Sequence, residues 1–465
     1  MDRRAAVAII GAGFSGALTA LHLLKHLPAD AWVALIERNE GFGRGVAFAA
    51  SSPSNVLNVR VSNMSAFPGE PAHLSEWLHR RQGAFVAADQ FITRETYGEY
   101  IGSLLEAEAG REGARRLLLL RDEARALERT LLGVDLELAS GARLSAKAAV
   151  LAIGPLPARP MFPVLAELPP ALYAPDPWAP VALADVDPRG LVVLVGAGLT
   201  MVDMALALSD QGHRGPILAL SRRGLAPLTH APVAPARKPA PVPELVGVAA
   251  LVHSVRGRAQ EAGWRQAVDE LRPFTQALWR GATLEQKRRF LRHLRPWWDS
   301  HRHRMAPGVA RRIEDMRAEG QLSVRAGRIV AAEAREGRAL LTWRPRGERL
   351  TRSFEAVRVV DCTGFNAFDL DRIPLLRSLV DSRLAQADAL GLGLDVDAAC
   401  RLIGRGGGAD KALRAVGPLT RGAFWEIIAV PDIRNQVASM AADLAAALGP
   451  PGVLSPEARP AGLPA

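Results

Sequence analysis

Cysteine is nearly absent: 465 residues contain two, Cys362 and Cys400, thirty-eight positions apart. That spacing gives no disulfide framework and no CxxC or CxxxxC redox pair, which argues against a reductase that shuttles electrons through a dithiol. Long apolar runs are missing too. No stretch of eighteen uninterrupted apolar residues occurs, so no transmembrane helix is expected. The apolar run after Met1-Asp-Arg-Arg4 encloses a glycine pattern that cleavage of a secretory signal would destroy, so a cytoplasmic location is expected. Charge of one sign is not gathered into blocks. The net charge of +10 comes mostly from arginine, but bases are mixed with acids, as in Glu285-Gln-Lys-Arg-Arg289, and no recognition motif with interleaved aromatics is present. Neither nucleic acid nor a membrane is therefore an expected partner. His301 and His303 form an HxH without a second pair of ligands, so no metal is expected.

What the chain does have is glycine in a pattern. With 49% hydrophobic and 23% charged residues it is globular, and its length suggests two or three domains. Residues 6–37 combine a β-branched run (Val7, Ile9, Ile10), the turn Gly11-Ala-Gly13-Phe14-Ser15-Gly16 and leucines at helical spacing (Leu18, Leu21, Leu24). A second apolar run closes on Glu37, twenty-one residues after Gly16. Gly11 permits the turn, Gly13 lets the backbone approach a pyrophosphate, and Gly16 lets helix and strand pack closely. The helix N-terminus favours the phosphate charge, while Glu37 accepts from a ribose diol and disfavours a 2′-phosphate. The reading is a dinucleotide site with an unphosphorylated adenosine ribose, as in FAD, held by Gly11, Gly13, Phe14, Ser15, Gly16, Glu37 and Arg38. The glycine-dense loop 39–48 adds Arg44, placed to meet a phosphate or cover a ring. The apolar run before Gly154 is a second strand ending in glycine at the same ligand.

The pattern starts again at Gly196-Ala-Gly198-Leu199-Thr200, with Met201 where a third glycine would stand. The following strand ends in Ser221-Arg222-Arg223 instead of an acid, and arginine there accommodates a 2′-phosphate. NADPH is expected at this second site, with NADH possible. The fold class is α/β, with two Rossmann-like dinucleotide-binding domains, the NAD(P) domain inserted into a discontinuous FAD domain and carrying a helical insertion. Expected boundaries are 1–160 for the first part of the FAD domain, 161–188 for a Pro-rich linker, 189–350 for the NAD(P) domain with its helical insert at about 245–319, 351–449 for the rest of the FAD domain, and a disordered tail at 450–465. The strand ending in Asp361-Cys-Thr-Gly364 is read as the return to the first sheet, which gives Asp361 and Gly364 to FAD. Pro431-Asp432 reads as the start of an amphipathic helix running to Leu448.

GAGFSG, FGRGVAF, NVLNVRVSNMSAFP, RETYGEYI, VLVGAGLTMVDMALAL, LSRRG, WWDSHRHR, DCTGFN and GPLTRGAFWEIIAVPDIRNQ together resemble a bacterial family of FAD/NAD(P)-binding proteins that includes a FAD-dependent urate hydroxylase and a nitrosuccinate-forming aspartate N-monooxygenase. NMSAFP, HLSEWL and RETYGEY are more distantly similar to segments of ornithine and lysine N-hydroxylases. The resemblance covers nearly the whole chain. It implies a monooxygenase that takes hydride from NADPH and delivers one oxygen atom of O₂, through a flavin hydroperoxide, to a small nitrogen-bearing substrate such as a urate-like purine or an amino-acid amine. Asn58, Met64 and Ser65 are candidates for the ring's surroundings, Asn435 and Gln436 for its pyrimidine edge. Arg421, with Arg44 and Arg434, is a candidate for holding an anionic substrate. A flavin-dependent reductase feeding a partner and a FAD-binding redox sensor without turnover are the other readings. Phe67, Gly69, His73 and Trp77 also fit FxGxxxHxxxW, but that motif belongs just before a second glycine turn, so the fit is read as chance.

Overall fold

Strand Ala5–Ile10 has no polar face and is buried along its whole length. Such a strand is stable only where both faces of its sheet are covered, and it lies in parallel between Val33–Glu37 and Arg143–Leu151. The computed structural model describes residues 4–49, 54–83, 86–110, 116–155, 162–231, 247–364 and 370–449. The first sheet continues from this centre through Ala409–Ala415 and Arg401–Ile403 on one side and Leu117–Arg121 on the other, with the hairpin Ala124–Thr130/Gly133–Leu138 attached to Arg143–Leu151. Helix Phe14–His26 covers it, and helix Val430–Leu448 packs on that helix. Ile433, Val437, Met440, Ala441 and Leu444 are the buried positions of the latter and recur at helical spacing, as its sequence requires.

The second sheet runs Arg352–Ala356, Arg338–Pro345, Leu322–Arg335, Ile217–Ser221, Val192–Val195, Arg358–Asp361, Tyr173–Ala174. Its centre is parallel and its far edge antiparallel. Residues 14–26 and 199–210 form the helices that follow the two glycine turns. The α/β architecture with one dinucleotide-type sheet inserted into another is thus present, and helices from Val248–Ala262 to Pro307–Ala318 occupy the window expected for the insertion.

Two expectations are corrected. Arg358–Asp361 does not return to the first sheet; it pairs with Val192–Val195 and with Tyr173–Ala174 in the second. Val359 and Val360 are fully buried against that apolar run, and a strand ending in glycine suits either sheet, so the pattern alone did not discriminate. The chain re-enters the first domain by helix Pro374–Asp381, whose Leu375, Leu376 and Leu379 join the first core. The segment expected as a linker over 161–188 contributes Tyr173–Ala174 to the second sheet's edge. Phe365, Asn366, the greater part of the proline-rich stretch 227–243 and the tail 450–465 lie outside the described residues.

A buried histidine and a half-buried one make the fold acid-sensitive. His22, 5% exposed, has Nε2 3.4 Å from the Ala66 carbonyl, and burial pushes its pKa down from 6.5 to about 4. Burial does the same to His230, whose Nε2 lies 2.9 Å from the Asn58 carbonyl across the domain junction. A base held below its ordinary pKa in the folded state leaves the unfolded chain to take the proton first. Stability is therefore complete above pH 6.5, declines as pH falls from there, and has lost its full increment below pH 4. For His22 that increment is ~3 kcal/mol. Thermal unfolding across this range is expected to show a falling Tm, and His22→Gln a shallower fall; parallel slopes would remove His22 from the account.

Candidate cofactor sites and the chamber beside them

At the first turn, Gly11 has φ +95°, and a Cβ on Gly16 would stand 1.8 Å from the Gly11 carbonyl oxygen, so the helix meets the strand with no room for a side chain. Gly11 and Gly13 keep surface of their own. Glu37 is 9% exposed and is fixed in the turn: Oε2 accepts the Ala12 N–H at 2.8 Å and Oε1 the Asn39 N–H at 3.0 Å. Each oxygen retains a lone pair for a ribose hydroxyl. The loop bearing Arg44 presses on this turn. A Cβ on Gly45 would come within 2.9 Å of Gly13 Cα, and one on Gly43 within 3.0 Å of Gly102 N. Arg44 stands exposed on that loop, and no heavy atom lies within 4 Å of the Cβ position of Gly154.

The structure sorts the other expected residues. A side chain touches a cofactor only through surface of its own; Met64 is 1% exposed and Ser65 0%, and the Ser65 hydroxyl accepts the Phe67 N–H at 3.1 Å. Both are framework, which corrects their expected catalytic place. Phe14 stacks edge-on with Phe48 in the core, Ser15 lies against Gly417, and Arg38 pairs with Glu123 at the surface. Asn58 gives its main-chain carbonyl to His230. Gln436 uses both ends of its amide, accepting from Gly417 N–H and donating to Thr420 Oγ1, while Asn435 beside it is exposed. Asp361 is corrected with its strand: its carboxylate takes the Tyr173 hydroxyl and both the N–H and hydroxyl of Thr363. The turn leading to Gly364 lies against the second glycine turn, where a Cβ on Gly196 would stand 2.4 Å from the Cys362 oxygen. Phe67, His73 and Trp77 gather around Tyr100 inside the first domain and pack it.

At the second turn Gly196 has φ +119°, and helix Leu199–Asp210 begins immediately after Gly198. Gly198 is exposed, no heavy atom lies within 4 Å of its Cβ position, and Leu199 and Thr200 keep partial exposure. Met201 is fully buried in the second core, so it replaces the third glycine by filling space rather than by touching a ligand. Strand Ile217–Ser221 ends in a turn closed by the Gly224 N–H on Ser221 Oγ. Arg222 is exposed there, its pKa lowered by partial burial and by the Arg295 and Arg223 guanidiniums.

The two sites are tied together by Arg94, which opens helix Arg94–Ala109. It donates to the Ala47 carbonyl at 3.2 Å and to Asp203 Oδ2 at 3.0 Å on the helix after the second turn. Burial raises the Asp203 pKa against the pull of Arg94. Arg94→Met leaves that carboxylate, 8% exposed, without its cation, a loss expected at about 3–5 kcal/mol. Adding Asp203→Asn is expected to recover most of it; a double-mutant cycle by chemical unfolding with no recovery would rule the pair out as the tie.

A largely buried cluster of charged and aromatic side chains, called the chamber below, packs between the helical insertion and segment 417–436. Trp279 and Trp425 stack at 4.8 Å, and Arg421 lies over Trp425 at 4.6 Å. Glu426, 3% exposed, accepts the Trp298 indole N–H at 2.7 Å, and Arg302 Nε stands 3.0 Å from its other oxygen. Burial opposes the Glu426 charge, but His303, Arg302, Trp298 and Arg421 together hold its pKa below the ordinary value. Burial and Arg295 push Arg421 down to about 10, and burial raises Asp432 despite Arg272. Trp425 Nε1, Asp432 Oδ2, Arg302 Nη2 and Arg434 Nε are buried without a hydrogen-bond partner. Among the described residues no three His, Cys, Asp or Glu side chains are grouped to hold a metal ion. Sequence reasoning missed Glu426, Asp432 and Arg302; the available signal was two acids inside the otherwise apolar run Phe424-Trp-Glu-Ile-Ile-Ala-Val-Pro-Asp432.

Comparison with known proteins agrees with this geometry. Residues 8–156 match the FAD-NAD(P)-binding family. An uncharacterized protein of Mycobacterium bovis is 30% identical over 146 residues, which is 30% of this chain and 26% of that protein, so the match spans about a quarter of the curated relative. Ornithine hydroxylase from Pseudomonas aeruginosa superposes with a TM-score of 0.66 at 14% identity, over 96% of this chain and 100% of the other. Ornithine N-hydroxylase from Kutzneria sp. 744, whose structure is described with reduced FAD, NADP⁺ and L-ornithine, gives 0.62 at 15% identity over 96% and 99%. No helix among the described residues is long and apolar enough to cross a membrane. Residues 8–156 thus match a FAD-NAD(P)-binding family, in a chain that shares its fold with these ornithine hydroxylases over 96% of its length.

Proposed function

We propose that this protein is a FAD-dependent, NADPH-using monooxygenase that hydroxylates a small substrate bearing both an amine and a carboxylate. The observation that carries the reading is the pair of glycine turns with opposite end-stops: Glu37 fixed in the first, Arg222 and Arg223 after the second. When bound, FAD supplies the redox chemistry, passing the electron pair of NADPH to O₂ so that one oxygen atom goes to substrate nitrogen and the other leaves as water. Gly11, Gly13, Glu37, Arg44 and Gly154 would hold the flavin nucleotide; Gly196, Gly198, Thr200 and the two arginines would hold NADPH. The cradles suit this: Cβ atoms at Gly154 and Gly198 would enter space that no protein atom fills.

The chain's own part is to bind, orient and keep water away. The chamber sets Arg272, Arg302 and Arg421 around Glu426 and Asp432. A substrate carboxylate would be held by these guanidinium planes, which match it well. Asp432 Oδ2, buried without a partner, is an acceptor for the substrate's ammonium. The tryptophan stack walls the chamber and lowers the local dielectric, which strengthens both contacts. An amino acid meets these requirements better than a purine, because it brings an ammonium for the Asp432 carboxylate as well as a carboxylate for the guanidiniums.

The test is spectroscopic. The purified protein is expected to be yellow, to bleach anaerobically with NADPH, and to regain its colour with O₂ while hydroxylating members of an amino-acid panel but not their decarboxylated amines. Oxidation of NADPH only with an artificial acceptor would point to a reductase, and colour that never bleaches to a sensor; either overturns the proposal.

A further inference from the structure

Arg222 and Arg223 do not stand alone at the end of their strand. Facing them is the helical insertion, at the place where its pitch changes: Phe290–Leu294 is a π-helical turn, a form frequent at functional sites. The Arg292 carbonyl in that turn accepts from Arg223 Nη2 at 3.4 Å, which brings the insertion's backbone within reach of the nucleotide arginines. Three residues on, Arg295 opens helix Arg295–Arg302. Its Nε is bonded to Asp299 at 3.2 Å, which orients the guanidinium and leaves its two terminal nitrogens without a hydrogen bond among the described residues. Arg222 has no acid partner among them either, and the charges that act on it are those of Arg295 and Arg223. Three guanidiniums thus share one corner with one carboxylate. Such a corner is relieved by an anion, and three planar forks suit a dianionic phosphate with several acceptor oxygens.

We propose that Arg295 is the third arm of the second nucleotide site: with Arg222 and Arg223 it grips the 2′-phosphate of the adenosine ribose, so that the helical insertion takes part in selecting a phosphorylated dinucleotide. This rests on the reading of that site as one for NADPH. The pattern at the end of the strand reveals only two of the three arms, because the third is supplied by residues more than seventy positions further along the chain. The same short helix presents Trp298 and Arg302 to Glu426. Phosphate binding at one end of it therefore bears on the chamber at the other.

The test uses 2′,5′-ADP and 5′-AMP, which differ only in the 2′-phosphate, titrated calorimetrically into the FAD-loaded protein. Arg295→Gln is expected to weaken 2′,5′-ADP by about tenfold or more, the worth of one charge-assisted contact, and to leave 5′-AMP within about twofold. Arg295→Lys, which keeps the charge but not the fork, is expected to fall between. If Arg295→Gln binds 2′,5′-ADP as the wild type does while Arg222→Gln/Arg223→Gln loses it, Arg295 is not part of the site and the NADPH reading stands. Equal loss of both ligands in Arg295→Gln also counts against the proposal, because it marks damage to the site at large. A wild type that binds the two ligands equally well overturns both readings.

Discussion

Gly16→Ala is expected to give a colourless protein of much reduced stability. The new Cβ would fall 1.8 Å from the Gly11 carbonyl oxygen and 2.9 Å from its carbon, and both are backbone atoms that cannot rotate away. Helix Phe14–His26 would have to lift from strand Ala5–Ile10, yet its other faces are buried against the core and against helix Val430–Leu448. Overpacking of this kind typically costs about 1–3 kcal/mol; against an immovable carbonyl the cost here is placed at about 3 kcal/mol or more. Flavin binding fails for the same reason, since the lifted helix takes its N-terminal N–H groups away from the pyrophosphate. Gly198→Ala is the control. Its φ of −86° suits any residue and no heavy atom lies within 4 Å of the new Cβ. It is expected to fold and hold flavin like the wild type but to bind NADPH weakly, because the space it fills is the nucleotide's. A yellow Gly16→Ala protein with unchanged Tm would contradict the packing argument.

The difference between these glycines shows which parts of the molecule could be read from sequence. The two strand–turn–helix units were legible as local structure, because strand, turn and helix lie within thirty or so residues and the backbone chemistry leaves few residue types that work. The C-terminal helix was legible through its period, Ile433 to Leu444. Sheet membership was not. Arg358–Asp361 is a short apolar strand ending in glycine, and only its pairing with Val192–Val195 assigns it to the second sheet. Met64 and Ser65 failed for a related reason: polar and sulfur-bearing residues in a loop near the first site suggest a ligand, whereas their burial makes them part of the floor. The chamber was least legible. Arg302 lies more than a hundred residues before Glu426 and Asp432 in the chain, and their meeting depends on how the insertion docks on segment 417–436. In the sequence each is an ordinary charge.

Replacing both Arg222 and Arg223 with glutamine is expected to lower the preference for NADPH over NADH, read as the ratio of their kcat/KM values, by about 100-fold, as the loss of two charge-assisted contacts implies, leaving only what Arg295 supplies. The change should fall almost wholly on NADPH. NADH carries no 2′-phosphate, so it gains slightly from relief of the crowding among Arg222, Arg223 and Arg295 and loses no contact. Glu37 cannot compensate, because it belongs to the other sheet and is held there by Ala12 and Asn39. The effect has a pH signature. A phosphate monoester has its second pKa near 6 and carries about −1.5 to −2 at neutral pH, whereas the guanidiniums stay charged throughout. The wild-type preference is therefore expected to shrink as pH falls through about 6, and the double variant to change much less across that value. Salt should act in parallel, eroding the wild-type preference by screening an exposed contact and affecting the variant much less. A double variant that still prefers NADPH, with the wild-type pH and salt dependence, would show that the 2′-phosphate is held elsewhere. The second glycine turn would then serve a nucleotide whose charge the arginines do not read.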